Sequence, residues 1–269
     1  MYSGTTFNNL SGNILGAHQK INRSAYKKLK LTKEIPQFPT IKKILHFEGK
    51  NGPDGLKRKS AGKHEPFHFY DPINPKDVAL LDSINDHYQS LVKELRASNQ
   101  EKSAFEASWL AHAIVDGMTP AHHYPFQTEY EKLSGSKHGQ AKKIHHKVLV
   151  KGETAKDTIK KNWGLWGARG LLTTHAMFEL GVASVIAPVK FGKTPLNQRE
   201  IEKISQQGVV SYFADSAKEI AELEIYEAYI RRGWTLKMSN VVKKVLVPKI
   251  VDVVALAWYS ACQDAGIIK

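Results

Sequence analysis

The stretch from Ser103 to Phe126, SAFEASWLAHAIVDGMTPAHHYPF, constrains the fold more than any other part of the chain. Ser103 and Glu106 stand three residues apart ahead of an apolar run, the spacing of a capping box, so a helix start is expected there. Phe105, Trp109, His112 and Asp116 then recur at steps of four, three and four, which places all four on one helical face. Pro120 closes the helix and His122 follows in the turn. A face that enters the core yet carries an imidazole and a carboxylate one turn apart must satisfy them, because unpaired buried polar groups are costly. A His–Asp hydrogen bond is one solution and a metal ion is the other.

The remaining chain reads as more helices of the same kind. Asn74 with Pro75 is expected to start a helix whose stripe runs Val78, Leu81, Ile84, Tyr88, Leu91 and Leu95. A short helix is expected from Asn22 to Leu29, and another stretch begins at Thr154. From Trp163 to Ile186 one face carries Ala168, Leu172, His175, Glu179, Val182 and Ile186, so a second His and acid stand at i, i+4. Asn197 and Glu200 open a helical stretch that runs to Gly233. A last helix covers Val241 to Gln263. Its lysines and Asp252 mark a buried helix, not a membrane span. No convincing strand appears, and five or six amphipathic helices predict a single all-α domain over residues 1–269.

Two segments break this pattern. Residues 32–73 carry five prolines and read as one long irregular segment, in which the aromatic residues beside His68 argue that this part packs down. Residues 127–151, rich in Lys and holding His138, His145 and His146, read as a basic insertion, an exposed loop or short helix. Such an insertion could also contact phosphate groups. The formal net charge of +13 favours anionic partners, namely phosphate esters, nucleic acid or the surface of an anionic membrane, without choosing among them. The single Cys262 excludes an internal disulfide and a Cys-rich zinc motif, so any metal here falls to His and carboxylate. No apolar run follows Met1, which as written gives no signal peptide and points to the cytoplasm.

Two His-x3-acid pairs on core-facing helices could face each other and share cations, since i, i+4 side chains lie about 6 Å apart. Here the sequence resembles the zinc-dependent phospholipase C family and its wider clan of S1/P1-type nucleases. The residues that carry the resemblance are His112, Asp116 and His122, then His175 and Glu179. Upstream stand Pro53-Asp54, the segment His68-Phe69-Tyr70-Asp71-Pro72, and Gly16-Ala17-His18.

The resemblance implies an all-α domain holding two or three Zn²⁺ ions. Asp54, His68, His112 and Asp116 would hold one ion, and His122, His175 and Glu179 a second. Asp116 would reach a third ion, which His18 also binds. It further implies a hydrolase of phosphate esters, cleaving phospholipid head groups by a metal-activated water whose proton Asp54 could help remove. Glu179, where the nuclease branch usually has Asp, leans towards the phospholipase side. A nuclease or 3′-nucleotidase is the alternative, with nucleic acid as substrate, and an inactive metal-binding homologue is a further one.

Two features depart from the family. Secreted members supply the amine of a mature N-terminal Trp to the third zinc, and their habit is export, whereas no Trp lies upstream of His18. Met1 or a processed terminus would have to substitute, or the third site keeps His18 and Asp116 alone. The separation of His122 from His175 is also much longer than in a typical member. The added segment is expected to overhang the active-site cleft and alter substrate choice.

Overall fold

The computed structural model describes residues 1–3, 16–59, 68–135 and 149–268, and every described element of regular structure is helical. At its centre α4 (Ala79–Arg96) and α5 (Gln100–Gly117) form a hairpin that packs along its length. Small residues permit this close approach. A Cβ on Gly117 would come within 2.5 Å of both Leu80 and Phe213, so only glycine fits where the end of α5 meets the start of α4. Buried on α5 are Ala104, Ala107, Ser108, Leu110, Ala111, Ile114 and Val115, which line most of its circumference with apolar atoms. His112 and Asp116 therefore sit where water does not reach.

Both predicted starts in this hairpin are displaced. Helix α5 begins one turn earlier than a capping box at Ser103 requires, because the Asn99 side chain accepts from the Lys102 backbone N–H at 3.2 Å. Ser103 is buried inside the helix, and Glu106 reaches across to His87 Nδ1 at 2.7 Å. Helix α4 begins at Ala79, not at Asn74 and Pro75. Asn74 accepts from the Lys76 backbone N–H, and Asp77 from that of Asp71, so these side chains close a turn instead. Leu80 enters the core where Leu81 was expected to lead, and Val78 is exposed.

A second hairpin-like pairing joins α1 (Ala17–Thr32) to α13 (Val247–Asp264). The first of these is longer than the expected Asn22–Leu29. The continuous helical stretch Leu236–Asp264, which ends in α13, has the length and apolarity of a membrane span, yet 78% of its most apolar window is buried in the protein, as in a core helix. Its Trp258 is fully buried and donates Nε1–H to the Ala107 carbonyl at 3.0 Å, tying it to α5. A π-helical turn at Val242–Leu246 leads into α13 from the short α12 (Leu236–Val241).

Several long predicted helices are broken. The segment 32–73, read as irregular, contains α2 (Ile41–His46), a 3₁₀ turn at Gly49–Asn51 and α3 (Pro53–Lys59). The run from Trp163 to Ile186 divides into α7 (Ala155–Trp166) and α8 (Leu171–Ile186), so Ala168 lies between helices. The run from Asn197 to Gly233 divides into α9 (Gln198–Gln207), α10 (Val209–Ala221) and α11 (Ile225–Arg232). Gly208 at φ +80° makes the first of these breaks, a left-handed conformation that disfavours other residues. Thr154 caps α7 as expected, accepting from the Asp157 N–H.

The beginning of the 127–151 segment belongs to α6 (Phe126–Ser134), which does not hang free. Phe126 and Tyr130 join Val150 and Leu165 in a second, smaller core, with Phe69, Leu133, Leu171 and Leu172 against it. The overhang is expected of residues 127–151 and the helix after them, and of these 136–148, with His138, His145 and His146, lie outside the described residues.

Candidate metal centre

Six separate segments, five of them helical, deliver the predicted donors to one place. Helix α5 supplies His112 and Asp116, the 3₁₀ turn Pro120–His122 supplies His122, α8 supplies His175 and Glu179, α3 supplies Asp54, and α1 supplies His18. His68 comes from extended chain that Tyr70 N–H ties to the His122 carbonyl at 3.1 Å. The other seven gather around Asp116, four of them in direct contact with it. Asp116 Oδ2 lies 2.5 Å from His68 Nδ1 and 3.2 Å from His112 Nε2, while Oδ1 lies 3.2 Å from His18 Nε2 and 3.7 Å from His122 Nδ1. Asp54 sits about one atom further out, 4.0 Å from His68 Nδ1 and 3.9 Å from His112 Nε2. Glu179 Oε1 is 2.9 Å from His122 Nε2 and 3.2 Å from His175 Nε2.

Two triads have donor atoms close enough to share an ion, Asp54/His68/His112 and His122/His175/Glu179. A third, His18/Glu48/His112, includes a residue that the sequence reading passed over. Glu48 is buried and takes Nδ1–H of His112 at 2.9 Å, with the Gly49 N–H at 3.1 Å and Asn22 Nδ2 at 3.5 Å around it. Its only sequence signal is being the sole acid between Glu34 and Asp54, in a stretch otherwise Lys-rich. Because Glu48 holds Nδ1, the Nε2 edge of His112 is the one turned to Asp54, Asp116 and His68. A carboxylate behind a ligating imidazole fixes the tautomer and raises its basicity.

The α-amino group of Met1 is also buried here, donating to Asp116 Oδ1 at 2.8 Å and lying 3.5 Å from Glu179 Oε1. Tyr2 accepts from the Ala17 N–H at 2.8 Å and Gln19 donates to the Ser3 carbonyl, which fastens this segment to α1. An amine therefore stands beside His18 and Asp116.

The electrostatics show how heavily these groups depend on one another. Burial raises the Asp116 carboxyl, but the Met1 amine, His122 and His112 overcome this and hold it well below the usual carboxylate range. Burial also works against Glu179, whose carboxyl the Met1 amine and His175 pull well below its ordinary value. Asp54 is driven to about 2, with His112 and His68 outweighing desolvation. Burial lowers the Met1 amine, and Asp116 and Glu179 more than reverse this, raising it to about 10. His112 is raised well above its ordinary value despite burial, by Glu48 and Asp116. His122 goes the other way: burial depresses it to about 4.

That last value exposes a mismatch. His122 Nδ1 contacts the His68 carbonyl at 2.5 Å, and a carbonyl only accepts, so Nδ1 carries the proton. In the neutral ring Nε2 then presents a bare lone pair 2.9 Å from the Glu179 oxygen, whereas a doubly protonated ring donates to it directly. Two electron pairs at that distance repel unless a cation or proton lies between them. His112 Nε2 is a second signal: buried and near Asp116, yet without a hydrogen bond. His18 Nδ1 and His175 Nδ1 are likewise buried without one. Imidazole and carboxylate donors of this kind suit Zn²⁺. His123, the neighbour of His122, meets the Gly117 carbonyl through Nε2 at 2.8 Å, leaves its own Nδ1 buried without a hydrogen bond, and joins none of the three donor groups.

Aromatic rings close one side. Phe69 stacks on Phe126 with ring centres 5.2 Å apart, and Phe126 stands 5.4 Å from His175. The second core thus presses directly on the His122/His175 edge.

An all-α fold with buried imidazoles and carboxylates gathered from six segments fits a metal-dependent hydrolase. The same fold occurs in a solved structure, the α-toxin of Clostridium perfringens from the avian strain SWCP, with a TM-score of 0.62 and 13% sequence identity. The alignment covers 96% of this chain and 66% of the toxin, so the chain spans about two thirds of that protein's length. No family model and no curated protein sequence matches the chain.

Proposed function

We propose that this protein is a zinc-dependent hydrolase of phosphate esters, acting on phospholipid head groups in the manner of phospholipase C. The lone pair of His122 facing the Glu179 carboxylate carries the reading, because a divalent cation turns that repulsion into two bonds. Support also comes from the fold shared with α-toxin and from the net charge of +13, which draws anionic substrates.

In this reading His122, His175 and Glu179 hold one ion, and Asp54, His68, His112 and Asp116 hold another. His18 and Asp116 offer donors for a third. When bound, the ions would supply Lewis-acid polarisation of phosphoryl oxygens and lower the pKa of a bound water. The chain's own groups do the remainder. Glu48 orients His112. Asp54 is the one carboxylate of the first triad and its side chain is 24% exposed, and we assign to it the proton released by the attacking water. Phe69 and Phe126 keep bulk water from the His175 side.

The test is an assay of the zinc-loaded protein against phosphatidylcholine vesicles, a soluble phosphodiester analogue and single-stranded DNA. Head-group release is the expected result. Cleavage of DNA alone would assign the nuclease activity instead, and silence on all three with zinc bound would leave a metal-binding protein without this chemistry.

A further inference from the structure

Helix α7 exposes a face that the catalytic reading does not use. Ile159 is 69% exposed and Trp163 73% exposed, and at i, i+4 they stand side by side. Trp166 continues the row one turn on and is half-exposed. Beside this stripe, on the adjoining strip of the same helix, Lys156 and Lys160 are both exposed. Only Leu165 of this helix is buried. Leu149 is exposed next to Val150, which Asn162 of α7 grips through both backbone groups, at 3.1 Å and 2.7 Å.

An exposed tryptophan is costly in water unless something covers it, and the chemistry of this strip narrows what that is. Trp with flanking Lys is the pattern of the boundary between membrane and water, where the indole settles at headgroup depth and the ammonium groups meet lipid phosphates. Protein interfaces take up Trp as well, but they are depleted in Lys. The excess of 39 basic over 26 acidic residues adds a long-range attraction of the same sign. The placement is also apt. Leu165 and Val150 share the second core with Phe126, whose ring lies 5.4 Å from His175, so the α7 face and the metal centre are mounted on one packed unit.

We propose that the Ile159/Trp163 face of α7, with Lys156 and Lys160, docks the protein onto an anionic phospholipid surface. The inference goes beyond the hydrolase reading, since docking requires no turnover.

The experiment is sedimentation of the full chain with vesicles of phosphatidylcholine alone and of phosphatidylcholine with about one third phosphatidylserine, while head-group release is followed in parallel. Binding to the anionic vesicles is expected, with a partition coefficient about tenfold lower for Trp163→Ala and for Ile159→Ser. Lys156→Glu with Lys160→Glu should abolish the preference for phosphatidylserine. These side chains lie at the surface, and an unchanged far-UV spectrum and melting temperature will establish that each variant folds. Failure to bind either vesicle overturns the proposal, as does binding that salt removes but Trp163→Ala and Ile159→Ser leave unaltered. Binding without hydrolysis supports docking and counts against the proposed activity. Hydrolysis of a soluble phosphodiester without vesicle binding does the reverse.

Discussion

His122 Nε2 and Glu179 Oε1 stand 2.9 Å apart with the imidazole proton committed to the opposite ring nitrogen, at the His68 carbonyl. This separation suits two ligands of one cation, and it equally suits a hydrogen bond from a doubly protonated ring. Zinc should raise the melting temperature of chelator-stripped protein, corresponding to about 3 kcal/mol at a hundredfold excess over Kd. Glu179→Gln should remove most of that increase. Identical melting curves with and without zinc would show that the cluster is a hydrogen-bonded core and not a metal centre.

Glu48 acts through His112. Glu48→Gln keeps the side-chain shape but removes the charge that orients and polarises the imidazole, and zinc affinity should fall about 10–100-fold while the fold persists. His112→Ala is more severe. It strips a ligand and leaves Glu48 as a buried, unpaired carboxylate, a loss of roughly 3–5 kcal/mol. Metal content by elemental analysis and thermal melts separate the two variants, and equal metal content in His112→Ala and the parent would exclude His112 as a ligand.

Stability of the metal-free protein should peak near neutral pH. His122 is depressed from 6.5 to about 4 by burial, so below 6.5 the unfolded chain binds a proton that the folded one refuses. Stability then falls as pH drops from 6.5 towards 4, by on the order of 3 kcal/mol in all. His112 is raised despite burial, by Glu48 and Asp116, so its contribution is complete below 6.5 and disappears as pH rises through its folded value. Melting temperatures across pH 4–9 test this, and a profile that climbs monotonically to alkaline pH would contradict the His112 assignment. Zinc affinity should weaken on acidification, because binding releases the His112 proton.

Asp54→Asn should lower kcat by about 10²-fold or more with little change in KM, if this carboxylate accepts the proton of the attacking water. Zinc stoichiometry measured on the same sample distinguishes this from loss of a ligand: full zinc content with low kcat supports the assignment, and unchanged kcat refutes it.

Gly181 tests how α8 is seated two residues beyond Glu179. A Cβ there would come within 2.1 Å of the Trp234 ring, so Gly181→Ala should displace the helix or the indole and cost about 1–3 kcal/mol. Retention of both the melting temperature and zinc affinity would mean that Trp234 yields freely.

Much of this architecture is written in local pattern. The 3.6-residue period of apolar side chains specifies α4, α5 and α13, and the i, i+4 spacing of His112 with Asp116 and of His175 with Glu179 specifies two donor pairs before any contact is known. Helix ends were less legible. Asn99 caps one turn ahead of Ser103, and Asn74 can close a turn as readily as cap a helix, so short polar side chains leave the choice to the surroundings.

What only the tertiary structure decided is convergence. No period links Glu48, Asp54 and His68 to α5, since each lies in short or irregular backbone whose position follows from packing against distant helices. The Met1 amine at Asp116 depends on Tyr2 and Ser3 being held by α1, and the exposure of Trp163 depends on which face of α7 the second core covers. Sequence spacing reports neighbours along one helix, whereas charges brought together from 115 residues apart report the fold.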